Sequence, residues 1–473
     1  MGDYHSTVSR RDFMKGLGLL GTGMGAASLV SPRFHDLDEL ISSASTHPTH
    51  PWFVKEREQA NPTSEVDWKI FKQWDKVNNN IPTISDEAKA FNAQRDRKFD
   101  MEGLINKLPG RDRRAYALAA MVTGLQTSPA WDGTATTADS GLTSFTDAEV
   151  PRWEGSPEDN TQMLRAAIHL MGSNNAGALE LDDKMTQIFD KDAVAWENIP
   201  KAFQDTKTKI YHIPDKAKYM ATCSIQQNYT QATFQLRIDN ETYPGKMGLP
   251  NPLGRPSIHR AYGDGRYVDW QLQRFLNKLG YQAYKCGITA NVAVGIFSGL
   301  GEQGRATYMM TPRSGLMTRI TNYWITDLPQ APTNPIDFGG SKFCESCMRC
   351  AELCPSESLG EQKEPVWESS KGNRPGYKGW RVNWETCINM GAPSRCGVCH
   401  TLCPFNHPPE AMIHPTVRTV IAATNLFNKF FADMDRQFQY GNTTTAEELD
   451  GWWTRNLNTY KGDVIHGAGQ FQW

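Results

Sequence analysis

Cys344-Glu345-Ser346-Cys347-Met348-Arg349-Cys350-Ala351-Glu352-Leu353-Cys354-Pro355 is the stretch on which the reading of this 473-residue chain turns. A second run, Cys396-Gly397-Val398-Cys399-His400-Thr401-Leu402-Cys403-Pro404, ends with the same spacing, and Cys387 stands nine positions upstream of Cys396. Thiolates two residues apart on a tight loop reach three corners of one iron-sulfur cube, while the cysteine before proline points to the neighbouring cube. The spacing predicts two 4Fe-4S clusters. One is expected on Cys344, Cys347, Cys350 and Cys403, the other on Cys387, Cys396, Cys399 and Cys354. Zinc knuckles and disulfides are the competing uses, but a third cysteine at x2 and a fourth at x3 before proline is redundant for tetrahedral zinc. Cys223 and Cys286 stand apart and read as inert buried thiols, and His400 as a solvent-facing or hydrogen-bonded residue.

The segment Ser9-Arg10-Arg11-Asp12-Phe13-Met14-Lys15, followed by a glycine-rich apolar stretch to Val30, reads as a twin-arginine export signal cleaved between Ala26 and Ala44. The apolar stretch is too short and glycine-rich for a comfortable membrane span. This route carries folded proteins, which suits clusters assembled in reducing surroundings and argues for ligation despite an oxidising destination. A hydrophobic content of 39% supports a sizeable core, and the length suggests about three domains. A formal charge of -2 and no Lys/Arg block outside the signal argue against a nucleic-acid partner.

Pro157 to Gly172 has helix-start chemistry and an apolar helical period, as does Arg111 to Gly124. Ala176 to Leu181, Lys218 to Ile225 and Tyr281 to Lys285 read as strands, and Val268 to Leu279 as a helix. The alternation predicts an α/β domain. Ser128 to Gly155 reads as a loop whose Trp131 and Trp153 line a pocket or simply pack. Thr416 to Phe438 reads as one helix. Gly299-x-Gly301-x-x-Gly304 matches a dinucleotide fingerprint as a string, but no βαβ unit surrounds it. A glycine loop approached by another large cofactor is the reading preferred here.

The leader, Leu279-Gly280-Tyr281, Gly299-Leu300-Gly301-Glu302-x-Gly304-Arg305, Thr311-Pro312, Thr326-Asp327-Leu328-Pro329, Pro335-Ile336-Asp337-Phe338-Gly339 and the two cysteine runs occur in one order. That order resembles the corrinoid-dependent respiratory reductive dehalogenases, most strongly from Pro157 to Pro404. The resemblance implies an α/β (α+β) fold: a nitroreductase-like cobamide-binding core at 157–335 and a ferredoxin-like two-cluster insert at 336–408. Around them come the signal and linker at 1–44, an N-terminal wrapping segment at 45–156 and a C-terminal helical segment at 409–473. It implies two 4Fe-4S clusters, a corrinoid with its cobalt, and replacement of halogen by hydrogen in a small organohalide. Its implied partners are a small hydrophobic membrane-anchor protein and respiratory electron donors, with the mature chain peripheral on the outer face of the cytoplasmic membrane.

By the family's spacing, the proton-donating tyrosine is Tyr262, seventeen residues before Leu279, and its partner is Arg319, fourteen after Arg305. Gly287-Ile288-Thr289 stands where the family has an asparagine, so Asn291 is the nearest substitute. Gly299, Gly301, Gly304 and Arg305 are expected to contact the cofactor, Arg305 at a phosphate unless it is a structural ion pair. A tyrosine is a weak acid near neutrality, and a guanidinium beside it stabilises the phenolate. Two rivals are a cobamide enzyme like epoxyqueuosine reductase and an electron-transfer iron-sulfur subunit of an exported oxidoreductase. Metal analysis of anaerobically purified protein decides: one cobalt with about eight irons is expected. Eight irons without cobalt after cobamide reconstitution leaves the electron-transfer subunit.

Overall fold

The computed structural model describes residues 50–456 apart from 52, 113–129, 133–151, 174, 289–290, 392–395, 408–412 and 439–443. The export signal, the predicted helix at 111–124 beyond its first two residues, and most of the loop at 128–155 lie outside the described residues. In chain order, β1 (Lys55–Glu56) and α1 (Asp86–Ile105) precede α2 (Pro157–Leu170) and β2 (Ala176–Glu180). A small sheet of β3 (Val194–Glu197), β4 (Phe203–Gln204) and β5 (Tyr211–Pro214) follows. Next come β6 (Tyr219–Gln226), α3 (Pro256–Lys278), α4 (Asn291–Phe297), β7 (Glu302–Gln303), β8 (Met309–Met310) and β9 (Thr318–Thr326). β10 (Ile336–Asp337) returns to pair with β1, and α5 (Gly340–Cys347) opens the cysteine-rich part. The last helices are α6 (Ile413–Ala423), α7 (Asn428–Phe438) and α8 (Ala446–Thr454).

The helix-strand alternation is present, and the central sheet it builds is antiparallel, in the order β2-β6-β9. β6 is buried at every position after its first, as a strand covered on both faces must be. One face packs Leu179, Met220, Tyr323 and Ile325 against Phe189, Ile213 and Phe297. The other packs Ala221, Ile225 and Trp324 against Leu164 and Ile168 of α2 and Val268, Leu272 and Leu276 of α3. Cys223 and Cys286 are buried and unpaired, and burial pushes both thiols up.

Local chemistry sets the helix ends. The Ser156 hydroxyl accepts from the Asp159 N–H at 3.1 Å, Pro157 occupies the first turn, and Gly172 exits at φ 96°. α3 starts at Pro256, twelve residues before the predicted Val268, because Gly263 and Gly265 weaken a helical pattern that tertiary packing nonetheless completes. It ends where Gly280, at φ 89°, lets the Tyr281 and Gly280 N–H groups donate to Leu276 and Asn277 carbonyls, both at 3.0 Å.

Two expectations change, and a third is decided between its alternatives. Tyr281 to Lys285 contributes a single bridge, Tyr284 to Ile325, because Asp327 takes the Gln282 N–H and the Trp131 carbonyl takes that of Lys285. The long C-terminal helix is two helices: the Thr424 hydroxyl accepts the Leu426 N–H and diverts the backbone. Trp131 and Trp153 pack, the first 4.7 Å from the Tyr211 ring, the second donating to Asn160 at 2.8 Å. No helix among the described residues is long and apolar enough to cross a membrane.

A bulge sits at the functional end of the sheet. Cys223 faces Asn322 while Ile225 faces Arg319, so β9 carries one extra residue between them. Residues three apart on a regular strand point to opposite faces, and the bulge re-aims one of them. Asn322 and Arg319 consequently both turn to α3, Asn322 donating to the Gly265 carbonyl at 2.6 Å.

Close packing between β2 and the end of α4 gives a stability test. A Cβ on Gly177 would lie 2.2 Å from the Ser298 carbonyl oxygen. Gly177→Ala is expected to cost about 2–3 kcal/mol by overpacking, read as a lower denaturation midpoint. An unchanged midpoint counts against this tight contact.

Candidate active site and cluster voids

The cysteines gather in the buried cysteine-rich part. α5 carries Cys344 and Cys347; Met348 at φ 55° ends it in the left-handed region, and a short helix from Arg349 to Glu352 carries Cys350. A void of about 40 Å³ is lined by Cys354, Cys387, Cys396 and Cys399, together with Tyr308, Arg319, Ser356, Ser358 and His400. Cys354 is thus set among the cysteines of the other run. Cys403 has Cys344 and Cys350 as its interacting thiols, and Cys347 has Cys344 and Cys403. Burial raises Cys344 and Cys396 to about 11 and Cys387 to about 12, and pushes Cys347, Cys350, Cys399 and Cys403 up as well. Bound iron supplies the positive charge that stabilises thiolates in such surroundings. Among the described residues no three His, Cys, Asp or Glu side chains converge on a single-ion site.

The glycine run has a different task from the expected one. Gly299 adopts φ 73°, and a Cβ there would lie 2.1 Å from the Asn334 carbonyl oxygen. On Gly301 it would lie 2.3 Å from the Met310 carbonyl oxygen, and on Gly304 3.3 Å from Leu316 Cδ2. These glycines admit their own chain, and neither they nor Arg305 line the large cavity. Arg305 is buried, with Nε and Nη2 donating to the Cys344 carbonyl, Nη1 to Gly360 and Gln362, and Nη2 also to Lys363. Its guanidinium lies 4.9 Å from the Trp380 ring centre. With its donors committed to carbonyls it makes neither the phosphate contact nor the ion pair expected of it.

Glu302, which the sequence reading passed over, completes this anchor. Its Oε1 accepts from the Phe338 N–H at 2.6 Å and Gly340 at 3.2 Å, and Oε2 from Ser341 at 3.0 Å. These donors are at the start of α5, where a helix favours a carboxylate. Burial and then Asp337 push the Glu302 pKa up, and the Phe338 and Ser341 N–H groups pull it back. The only sequence signal was an acid inside a glycine-rich run.

Tyr262, Asn291 and Arg319 do come together. They line one cavity of about 450 Å³, walled elsewhere by Phe71, Trp74, Phe297 and Trp384. Tyr262 comes from the second turn of α3, Asn291 opens α4, and Arg319 follows the first residue of β9. The Arg319 guanidinium carbon is 5.5 Å from the Tyr262 ring centre. Its Nη1 donates to the Thr318 carbonyl at 3.1 Å and lies 2.9 Å from His400 Nδ1, which is also 2.9 Å from the Leu316 carbonyl oxygen. Burial and the Arg319 charge push His400 well below the usual histidine range, so the ring is neutral, its Nδ1 donating to Leu316 in one tautomer and accepting from Arg319 in the other. His400 is buried, not solvent-facing, with its ring 4.1 Å from that of Tyr308. On the cavity lining, the buried Asn291 Oδ1, Arg319 Nε and Arg374 Nε have no protein partner. Tyr308 and Arg319 line both the cavity and the second cysteine void.

Two gatherings of four cysteines, one around a void that adjoins a cavity with a tyrosine-arginine pair, define a two-cluster iron-sulfur oxidoreductase. Residues 343–406 match the family of 4Fe-4S double cluster binding domains. The chain is 34% identical to the chloroethene reductive dehalogenase of Dehalococcoides mccartyi strain VS, covering 98% of this chain and 99% of that protein. It is 29% identical to the trichloroethene reductive dehalogenase of D. mccartyi strain ATCC BAA-2266, covering 95% and 97%. A solved reductive dehalogenase described as B12-dependent superposes with a TM-score of 0.55 at 18% identity, over 84% of this chain. This chain spans about half (50%) of that one. The chain belongs to the reductive dehalogenases, oxidoreductases that act on carbon-halogen bonds.

The Glu302 anchor predicts that Glu302→Gln, which offers one oxygen in place of two, loosens α5 and loses iron from the Cys344 side. Iron is expected to fall from about eight to about four per chain. Full iron content in this variant counts against the anchor.

Proposed function

We propose that this chain replaces a halogen of a small organohalide by hydrogen, with electrons passing through two 4Fe-4S clusters to a corrinoid, in organohalide respiration. Two relatives are named for chloroethene and trichloroethene, and the aromatic cavity wall suits a small chlorinated alkene. The observation that carries the reading is the cavity holding Tyr262 and Arg319, divided from the second cysteine void by Tyr308 and Arg319 themselves.

The residues present fit a corrinoid. The cavity is walled largely by apolar and aromatic side chains, as one face of a corrin ring with a small substrate on it requires, and the unpartnered Arg319 Nε awaits a polar occupant. Gln303, Thr307, Met309 and Phe297 would hold it. When bound, it supplies a cobalt centre that collects electrons singly and reduces the carbon-halogen bond. Cys344, Cys347, Cys350 and Cys403 ligate the first cluster; Cys387, Cys396, Cys399 and Cys354 ligate the second, which adjoins the cavity.

The overall change takes R–X, two electrons and one proton to R–H and halide. Tyr262 gives the proton from its hydroxyl. Arg319 stabilises the phenolate left behind by its fixed charge, and the Thr318 carbonyl, with His400 packed beside it, holds that guanidinium in place. Asn291 orients the substrate through its free amide oxygen. Phe71, Trp74 and Trp384 keep the cavity apolar and water out. The mature chain is peripheral on the outer face of the cytoplasmic membrane, tethered by a small hydrophobic anchor protein and fed by respiratory donors.

Tyr262→Phe is expected to lower dehalogenation by about 10²–10⁴-fold, with iron and cobalt content unchanged. Parent-like halide release from a fully loaded Tyr262→Phe variant would remove the tyrosine from the mechanism. Arg319→Lys, which keeps the charge but loses the planar fork, is expected to retain partial turnover.

A further inference from the structure

A chain of hydroxyls runs beside the second cysteine void and has no part in the proton and electron steps above. Cys354 Sγ is 3.5 Å from Ser356 Oγ, which is 2.7 Å from Ser358 Oγ, itself 2.7 Å from Thr386 Oγ1. Ser356 and Ser358 line the void, and Thr386 precedes Cys387, so the chain runs between two cysteines of one set. Each hydroxyl has a single proton to give. One arrangement sends the protons toward the Asn383 carbonyl, 3.2 Å from Thr386 Oγ1, and leaves the sulfur without a donor. The other runs Thr386 to Ser358 to Ser356 to Cys354. A ligating thiolate accepts and cannot donate, so iron at Cys354 selects donation from Ser356, with Ser358 Oγ giving its own proton to Ser356 Oγ at 2.7 Å or to the Ser356 carbonyl at 3.4 Å. Ser358 and Cys354 are buried and Ser356 half-buried, so the links nearest the sulfur polarise one another away from water, while Thr386 is exposed at the far end.

We infer that Ser356 is a positioning residue that donates to the Cys354 sulfur and raises the reduction potential of the second cluster, with Ser358 and Thr386 aligning it. The inference rests on the proposed reading of Cys354 as a ligand of that cluster. Hydrogen bonds to cluster sulfurs draw off the charge gained on reduction and so favour the reduced form. The second cluster is the one beside Tyr308 and Arg319, so the chain adjusts the last electron carrier before the cavity.

The test is a redox titration of the full-length, cluster-loaded protein followed by electron paramagnetic resonance, with the second cluster identified as the signal lost in Cys396→Ala. In Ser356→Ala the reduced-to-oxidised ratio of that cluster at fixed potential falls about ten-fold, equivalent to about 59 mV for a one-electron couple. The first cluster stays unmoved. Thr386→Val gives a smaller shift of the same sign, and Ser356→Thr restores the parent ratio. A loaded Ser356→Ala protein whose second-cluster ratio stays within about two-fold of the parent, or whose two clusters shift together, overturns the inference. If Ser356→Ala fails to take up iron, Ser358→Ala and Thr386→Val decide by the same reading. Cys354→Ala separates the two claims. Retention of about eight irons and the second signal overturns the ligand reading; loss of that signal beside a silent Ser356→Ala overturns the tuning alone.

Discussion

Glu302 and Arg305 tie the catalytic core to the cysteine-rich part, and the arrangement of the site depends on that tie. The carboxylate closes the open N–H groups at the start of α5, and the guanidinium gathers carbonyls from the loop beyond it. Both side chains are buried, so every donor and acceptor left unpaired would carry a desolvation cost of about 1–3 kcal/mol. Gly299 and Gly301 let the backbone pass close enough to Asn334 and Met310 for these two residues to reach across. The cysteine void is thereby fixed against the same strands that present the tyrosine-arginine pair.

The bulge in β9 does the complementary work on the other side. It turns Arg319 toward α3, where Tyr262 stands, while Asn322 in the same strand grips the Gly265 carbonyl and Asp269. Arg319 then meets three groups from three parts of the chain: Tyr262 on a helix, Thr318 beside it on the strand, and His400 between two cysteines. A neutral His400 packs here without adding a second positive charge beside the guanidinium.

The cysteine runs were readable because iron-sulfur ligation is local: three thiolates two residues apart declare their geometry within a dozen positions. The helix from Pro157 and the strands at Ala176 and Tyr219 were readable from capping and apolar period. Tyr262 and Arg319 could be placed only through resemblance, since neither residue's surroundings in sequence distinguish it from a loop or surface position. Two glycines hid the first half of α3, where Tyr262 resides. The glycine run announced a close approach, but not what approaches. Glu302 and Arg305 reach partners 36 to 58 residues away, and no periodicity records such a distance.

The cavity wall draws on four widely separated stretches, at Phe71, Tyr262, Arg319 and Trp384. A chamber assembled this way exists only once the N-terminal segment has folded over the core and the cysteine-rich part has docked. Its occupant is a component of folding, favouring the closed chain by mass action. Loss of the occupant therefore weakens the joint between the N-terminal segment, the core and the cysteine-rich part, and not the lining of one pocket alone.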